Sequence, residues 1–271
     1  MRLGIGSYTY GWSVGVPGYP PPPRPMTAAG LLGRAAELGV RVVQIADNLP
    51  LDRLGSAELA ALARDAGRLG IDLEVGTRGI DPALLRRYAG IAARLRSPIL
   101  RTLIDTAVHR PDPDEVVETL RSVMPDFERL GVCLVIENHD RFRADILADI
   151  LDRVGSPQAG ICLDTANSIG CVERLDTLVA VLGARIMNLH LKDYCIFRLP
   201  HHNGFIVEGR PAGRGQLDVP QLLGAIRELG RDPNVILELW TPPEATPAET
   251  VAKEEAWARE SVGYLRQFLP T

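Results

Sequence analysis

The 271-residue chain is sparing with the residues that mark several large protein classes. It has only four cysteines, Cys133, Cys162, Cys171 and Cys195, and no two stand as Cys-x-x-Cys. That spacing excludes a zinc finger or a disulfide framework, and the four read as buried thiols of a cytoplasmic protein. No segment approaches 18 uninterrupted apolar residues, which argues against a membrane span. The opening MRLGIGSYTYGW lacks the apolar core of a signal peptide, so none is expected. Basic residues do not predominate. Thirty Lys and Arg face 34 Asp and Glu, for a net charge of −4, and no basic stripe offers a nucleic-acid footprint.

What the chain does contain is alternation. Eight short aliphatic runs recur: RLGIGSY (2–8), RVVQIAD (41–47), DLEVGTR (72–78), PILRTLI (98–104), CLVIEN (133–138), AGICLDT (159–165), IMNLHLK (186–192) and NVILELW (234–240). Each is rich in Val, Ile and Leu, the signature of strands buried on both faces. Helical patterns separate them. TAAGLLGRAAELG spaces Leu31, Leu32, Ala35 and Leu38 on one face and stops at Gly39. SAELAALARDAGRLG opens at Ser56, read as an N-cap, and DPALLRRYAGIAARL opens with Asp81 as N-cap and Pro82 in the first turn. Pro125 is expected to kink its helix.

Eight strand–helix units over residues 1–271 indicate an α/β protein built as a single (β/α)8 TIM barrel. A doubly wound open sheet is the competing architecture, and its dinucleotide-binding subtype is weakened because no GxGxxG follows the first strand. Long loops at 11–26, 195–217 and 241–249 all follow strands. In a barrel they gather on the C-terminal face, where such folds carry their sites.

The late strands end in metal-capable residues: Glu137, Asp164, His190 and Glu238, spaced 27, 26 and 48 residues apart. The first two gaps are about one repeat, and the third is one repeat plus the long loop. In MNLHLKD the polar Asn188, His190 and Lys192 alternate with Met187, Leu189 and Leu191, so the polar set faces the barrel interior. Three carboxylates converging there would repel one another and are costly to bury alone. A divalent ion removes both problems, and an oxygen-rich set with one imidazole favours Mn²⁺ or Mg²⁺ over Co²⁺ or Zn²⁺. Around this set, Tyr8, Trp12, Arg78, Arg101, Asp105, Asn167 and Lys192 are candidates to touch a polyhydroxylated or anionic substrate, or to pair with neighbouring carboxylates. His139 shares a phase with Glu137 but lies beyond the strand, at the rim, where it is a further candidate to touch the substrate. GRGQLD (213–218) precedes a helix and offers amides to an anion, although a plain Gly-rich turn explains it as well.

The segments VIENHD, CLDTANS, NLHLKD, GRGQLD and VILELW resemble the xylose isomerase-like TIM-barrel superfamily, the sugar phosphate isomerase/epimerase group, across essentially the whole chain. The resemblance implies one divalent ion on Glu137, Asp164, His190 and Glu238. It implies Glu137 and Glu238 as acid–base catalysts that epimerise or isomerise a small keto sugar through an enediolate. It also implies a homo-oligomer, a dimer or tetramer. Two positions depart from the epimerase pattern. Asn167 stands where many relatives have histidine, and Ile196 stands where epimerases carry a substrate-contacting arginine, leaving Arg198 as the nearest one and the candidate for that contact. The alternative is a dehydratase, a lyase acting on a keto-cyclitol or dehydroshikimate-like substrate, with Lys192 assisting hydroxide departure. A non-catalytic metal-binding barrel is the lesser alternative. The endonuclease IV branch, which needs many rim histidines, does not fit a chain with five.

Overall fold

The computed structural model describes residues 1–270. Its centre is a closed barrel of parallel strands: β1 (Leu3–Gly6), β2 (Val42–Ile45), β3 (Asp72–Arg78), β4 (Ile99–Leu103), β5 (Cys133–Glu137), β6 (Ala159–Asp164), β7 (Ile186–Leu191) and β10 (Asn234–Leu237). β1 pairs with both β2 and β10, which closes the ring. The eight aliphatic runs supply these strands, and burial on both faces explains why they are aliphatic almost throughout.

Helices form the outer layer: α2 (Ala28–Leu38), α3 (Ser56–Leu69), α4 (Pro82–Leu95), α5 (Pro113–Leu130), α6 (Ala144–Val154), α7 (Leu175–Leu182), α8 (Val219–Glu228) and α9 (Pro247–Leu265), preceded by the single turn α1 (Gly11–Val14). The stripe Leu31, Leu32, Ala35 and Leu38 is the buried face of α2, and Gly39 ends that helix in the left-handed conformation. Asp81 caps α4 by accepting from Leu84 N, as its position before Pro82 predicts. Ser56 does not cap α3. The cap is Gly55, and Glu58 folds back to accept from Gly55 N at 2.7 Å, so a carboxylate does what a serine was expected to do. α5 continues through Pro125 without interruption. Of the four free cysteines, expected to be buried, only Cys162 is fully so; Cys133, Cys171 and Cys195 are half-buried.

The long segment after β7 is more ordered than a loop. It folds into an antiparallel hairpin, β8 (Asp193–Arg198) with β9 (Phe205–Arg210), in register from Asp193↔Arg210 to Arg198↔Phe205. Two devices seat it. Gly209 packs directly on Trp240, where a Cβ would meet the Trp240 carbonyl. Asp193, nearly fully buried, accepts from the amides of Gly213, Gly215 and Leu217. The anion held by GRGQLD is thus the chain's own carboxylate, not a phosphate. On the opposite side, Glu254 of α9 accepts from Trp12 N, Ser13 N and Ser13 Oγ and fixes the loop that follows β1. Among the described residues, no helix is long and apolar enough to cross a membrane.

Candidate metal centre

The four metal-capable side chains meet at one rim. β5 and β6 end in Glu137 and Asp164, His190 lies in β7 opposite Asp164, and Glu238 follows β10 with its amide bonded to the Leu191 carbonyl. All four are buried. His190 Nδ1 lies 3.0 Å from Glu137 Oε2, 3.1 Å from Glu238 Oε1 and 3.9 Å from Asp164 Oδ2.

Those distances carry a chemical implication. His190 Nε2 is 2.6 Å from Gln44 Oε1, an acceptor, so Nε2 carries the proton. Nδ1 then presents a lone pair to carboxylate oxygens and has no hydrogen-bond partner. A buried lone pair facing carboxylates is unfavourable unless a cation stands between them. Neighbouring ligand atoms of an octahedral ion with bonds of about 2.1 Å lie about 3 Å apart, which matches the Glu137 and Glu238 distances, while Asp164 stands farther off at 3.9 Å. Asp164, His190 and Glu238 bring ligand atoms within 4.8 Å of one another, as do Glu137, His190 and the Cys162 thiol. Three carboxylates and one imidazole fit a hard divalent cation better than the lone thiol does. Without one, burial works against a charged His190, yet Cys162, Glu238 and Glu137 outweigh it and hold the ring well above the ordinary histidine pKa. Either way the position calls for positive charge.

The surrounding ion pairs are consistent with that need. Arg101 Nε donates to Glu137 Oε2 at 2.5 Å, and Arg101 NH1 donates to Asp47 Oδ1 at 2.8 Å. Lys192 Nζ lies 2.6 Å from Asp164 Oδ2 and 2.9 Å from Glu238 Oε2. The carboxylates Asp47, Glu137, Asp164 and Glu238 are thus met by two permanent cations, Arg101 and Lys192, and two negative charges remain for a divalent ion. Burial would raise the pKa of Glu137, but Arg101, then His190 and Lys192, hold it well below the usual range. Burial, helped by the neighbouring carboxylates Glu137 and Glu238, keeps the Asp164 carboxyl raised against the pull of Lys192. Burial also opposes charge on Lys192, yet Asp164 and Glu238 keep the ammonium far above its ordinary value.

Neutral groups hold the carboxylates in place. Asn167 Nδ2 donates to Glu137 Oε1 at 2.6 Å, so both oxygens of Glu137 already have donors. Asp164 Oδ1 accepts from the amides of Ala166 and Asn167. Asn138 points away from the cavity, as its phase predicts, and clamps the end of β6 through Asp164 N and Asp164 O.

A cavity of about 400 Å³ opens above this cluster and is lined by Tyr8, Arg78, Arg101, Glu137, His139, Asn167, Lys192, Glu238 and Trp240, among others. Tyr8 donates to Asp47 Oδ2. His139 sits at the rim with Nδ1 on Asp140 Oδ1, turned from the metal-capable set. Asp105 is bound by Arg141 and does not line this cavity. Two expected substrate contacts are corrected. Trp12 is held by the Thr241 carbonyl and stands edge-on to Tyr19, outside the cavity. Arg198 lies at the hairpin tip, donating to the His202 carbonyl and stacking on Phe205. Trp240 in the lining was not anticipated, and neither was Asp47 as the partner of Arg101 and Tyr8. Asp47 closes RVVQIAD much as Asp164 closes β6, so this signal is present in the sequence.

The chain is similar to known proteins over nearly its full length. A family model described as "Xylose isomerase-like TIM barrel" matches residues 32–268. The 3-oxo-isoapionate decarboxylase of Pectobacterium atrosepticum is 36% identical over 266 residues, covering 98% of this chain and 95% of that protein. Among solved structures, D-psicose 3-epimerase with D-tagatose from Clostridium cellulolyticum H10 aligns over 100% of both chains with a TM-score of 0.77 and 16% identity. A xylose isomerase-like TIM barrel protein from Mycobacterium smegmatis, in complex with magnesium, aligns over 88% of this chain and 89% of that one, with a TM-score of 0.65 and 16% identity. At those identities the structural likeness concerns the fold.

Proposed function

The chain belongs to the xylose isomerase-like TIM-barrel family, and from that premise we propose that it is a divalent-metal-dependent lyase that removes CO2 from a small 3-oxo sugar acid. The observation that carries this reading is the 36% identity to 3-oxo-isoapionate decarboxylase across nearly the whole of both chains. It reorders the expectation drawn from sequence, in which an epimerase led and the lyase was a dehydratase.

The arrangement of Glu137 supports the choice. Epimerisation needs a carboxylate free to take a carbon-bound proton. Both oxygens of Glu137 are engaged, by Arg101 and by Asn167, and its basicity is depressed. Decarboxylation of a 3-oxo acid makes no such demand. The C1–C2 bond breaks, its electron pair moves into an enolate spanning C2, C3 and the C3 oxygen, and CO2 departs. C2 then takes up one proton. A divalent ion held by Glu137, Asp164, His190 and Glu238 would polarise the C3 carbonyl and offset the negative charge that develops on its oxygen. The chain's own residues do the rest. Tyr8, Asn167 and Arg78 line the cavity and orient the hydroxyl and carboxylate groups of the substrate. Glu238 is the group we assign to pass to C2 a proton taken from the Lys192 ammonium, 2.9 Å away, which solvent then replaces. Val207 of the hairpin and Trp240 border the cavity.

A keto-sugar epimerase is the second reading, favoured because Glu137 and Glu238 face one cavity in the manner expected of an acid–base pair. One experiment separates the readings. A panel of 3-oxo sugar acids, ketoses and keto-cyclitols is incubated with enzyme and Mn²⁺ or Mg²⁺ in deuterated water. Decarboxylation predicts CO2 and one solvent deuteron at a new C–H of the product. Deuterium in recovered ketose without CO2 would establish the epimerase, and an ultraviolet-absorbing enone the dehydratase.

A further inference from the structure

Beneath the metal-capable residues the barrel interior is polar where barrels are usually aliphatic. Gln44 of β2, Glu74 of β3 and Asn188 of β7 are each nearly fully buried, and Asn234 of β10 lies beside them. Their hydrogen bonds form a directed chain. Glu74 Oε2 accepts from Gln44 Nε2 at 3.0 Å and from Asn188 Nδ2 at 2.9 Å, and Glu74 Oε1 accepts from Asn234 Nδ2 at 2.7 Å. Gln44 Nε2 also donates to Asn188 Oδ1 at 3.0 Å.

Each amide can satisfy these contacts in one orientation only. Three N–H groups point at Glu74 and no acceptor faces it, so the side chain is used as a carboxylate, an acceptor alone. Turning Asn188 or Gln44 over would set an amide oxygen against a carboxylate oxygen. With its nitrogen committed to Glu74 and Asn188, Gln44 must present Oε1 to His190. That oxygen can only accept, so His190 Nε2 must be a protonated nitrogen, and Nδ1 is left to offer its lone pair on the side of Glu137 and Glu238.

We propose that Glu74, acting through Gln44, is a positioning residue that keeps the proton on His190 Nε2 and so presents Nδ1 to a divalent cation. This rests on the metal-centre reading above for its consequence, but the position of the proton can be measured without a metal. Loss of such an outer hydrogen-bond partner typically weakens metal binding roughly 10–100-fold.

The test uses the full-length protein with Gln44→Met, which removes the acceptor at similar length, and Glu74→Gln, which sets an amide N–H among donors. Val135→Ala serves as a packing control, since Val135 lies inside the barrel in a separate apolar cluster with Ile99 and Cys162. Two quantities are read: Mn²⁺ affinity by chelator competition, and the ¹⁵N shift and hydrogen exchange of the His190 ring in metal-free protein. The wild type is expected to show a protonated, slowly exchanging Nε2. That protection should be lost in Gln44→Met and weakened in Glu74→Gln. Mn²⁺ affinity should fall at least tenfold in Gln44→Met and measurably in Glu74→Gln, with Val135→Ala unchanged. An unprotonated Nε2 in the wild type overturns the proposal, as does a folded Gln44→Met that binds Mn²⁺ within twofold of wild type. A wild type with a protonated Nε2 that binds no divalent ion instead sinks the metal-centre reading while sustaining the hydrogen-bond assignment. If Gln44→Met fails to fold, Glu74→Gln decides by the same two readouts.

Discussion

Replacing Lys192 by methionine should make the metal-free protein weaker and the metal-bound protein comparatively stronger. Lys192 is nearly fully buried, and its ammonium bridges Asp164 and Glu238, two of the four metal-capable residues. Removing one partner of a buried ion pair typically costs about 3–5 kcal/mol, because the remaining charge is left uncompensated. At roughly 2–4 °C per kcal/mol for a chain of this size, the metal-free Tm should fall by about 6–20 °C. The same substitution removes a positive charge that competes with a cation for both carboxylates. Even at an effective dielectric near 20, one unit charge a few ångströms away is worth several kcal/mol, so affinity for Mn²⁺ should rise at least about tenfold. Saturating Mn²⁺ must therefore raise the Tm of Lys192→Met by more than it raises that of the wild type. The assay is thermal unfolding with and without Mn²⁺, followed by circular dichroism, with affinity from chelator competition. Turnover should be lost, since the partner of Glu238 is gone. An equal or smaller metal-induced shift in the variant would refute the reasoning that Lys192 and the ion share Asp164 and Glu238.

Further outcomes follow from other contacts. Glu137→Gln and Glu238→Gln should each weaken Mn²⁺ binding at least tenfold in calorimetric titration, and each should abolish measurable turnover. Burial pushes Glu254 up to about 7 despite its bonds from Ser13 and Trp12. Its folded pKa thus exceeds that of the unfolded chain, near 4.5, so its contribution is fully present below that value and is lost as pH rises through about 7. Urea melts between pH 5 and 8 should show the wild type losing stability relative to Glu254→Gln by roughly 2–3 kcal/mol, and parallel curves would contradict the assignment. Gly209→Ala drives a methyl into the Trp240 carbonyl, so the hairpin should lift. Faster proteolysis between β8 and β9, with little change in global Tm, is the expected signature.

The barrel was legible because its strands are buried on both faces and read as unbroken aliphatic runs, each closed by a helix with clear caps such as Asp81. The four metal-capable residues were legible for a related reason: a carboxylate or imidazole at the end of an aliphatic run has few inexpensive places to go. The hairpin was not. Its sequence is broken by Pro200 and by turn residues, and half of it faces solvent, so it lacks the continuous apolar signal of the barrel strands. Arg198 and Trp12 were misplaced because position in a loop says little about direction. The layer of Gln44, Glu74 and Asn188 left a trace in the period-two pattern. An acidic residue inside DLEVG and an amide inside RVVQIA are each unremarkable alone. Only the barrel, which sets β2 beside β3 and brings β7 across from them, makes them one network.

The central claim is that Glu137, Asp164, His190 and Glu238 hold a single divalent ion that the reaction requires. Metal analysis of the purified protein, joined to calorimetric titration of the chelated protein with Mn²⁺ and Mg²⁺, tests it most directly. The account predicts one ion per chain, binding lost in Glu137→Gln, and turnover that stops on chelation and returns with the ion. A chelated protein that binds no divalent cation, or that turns over its substrate undiminished, would contradict it.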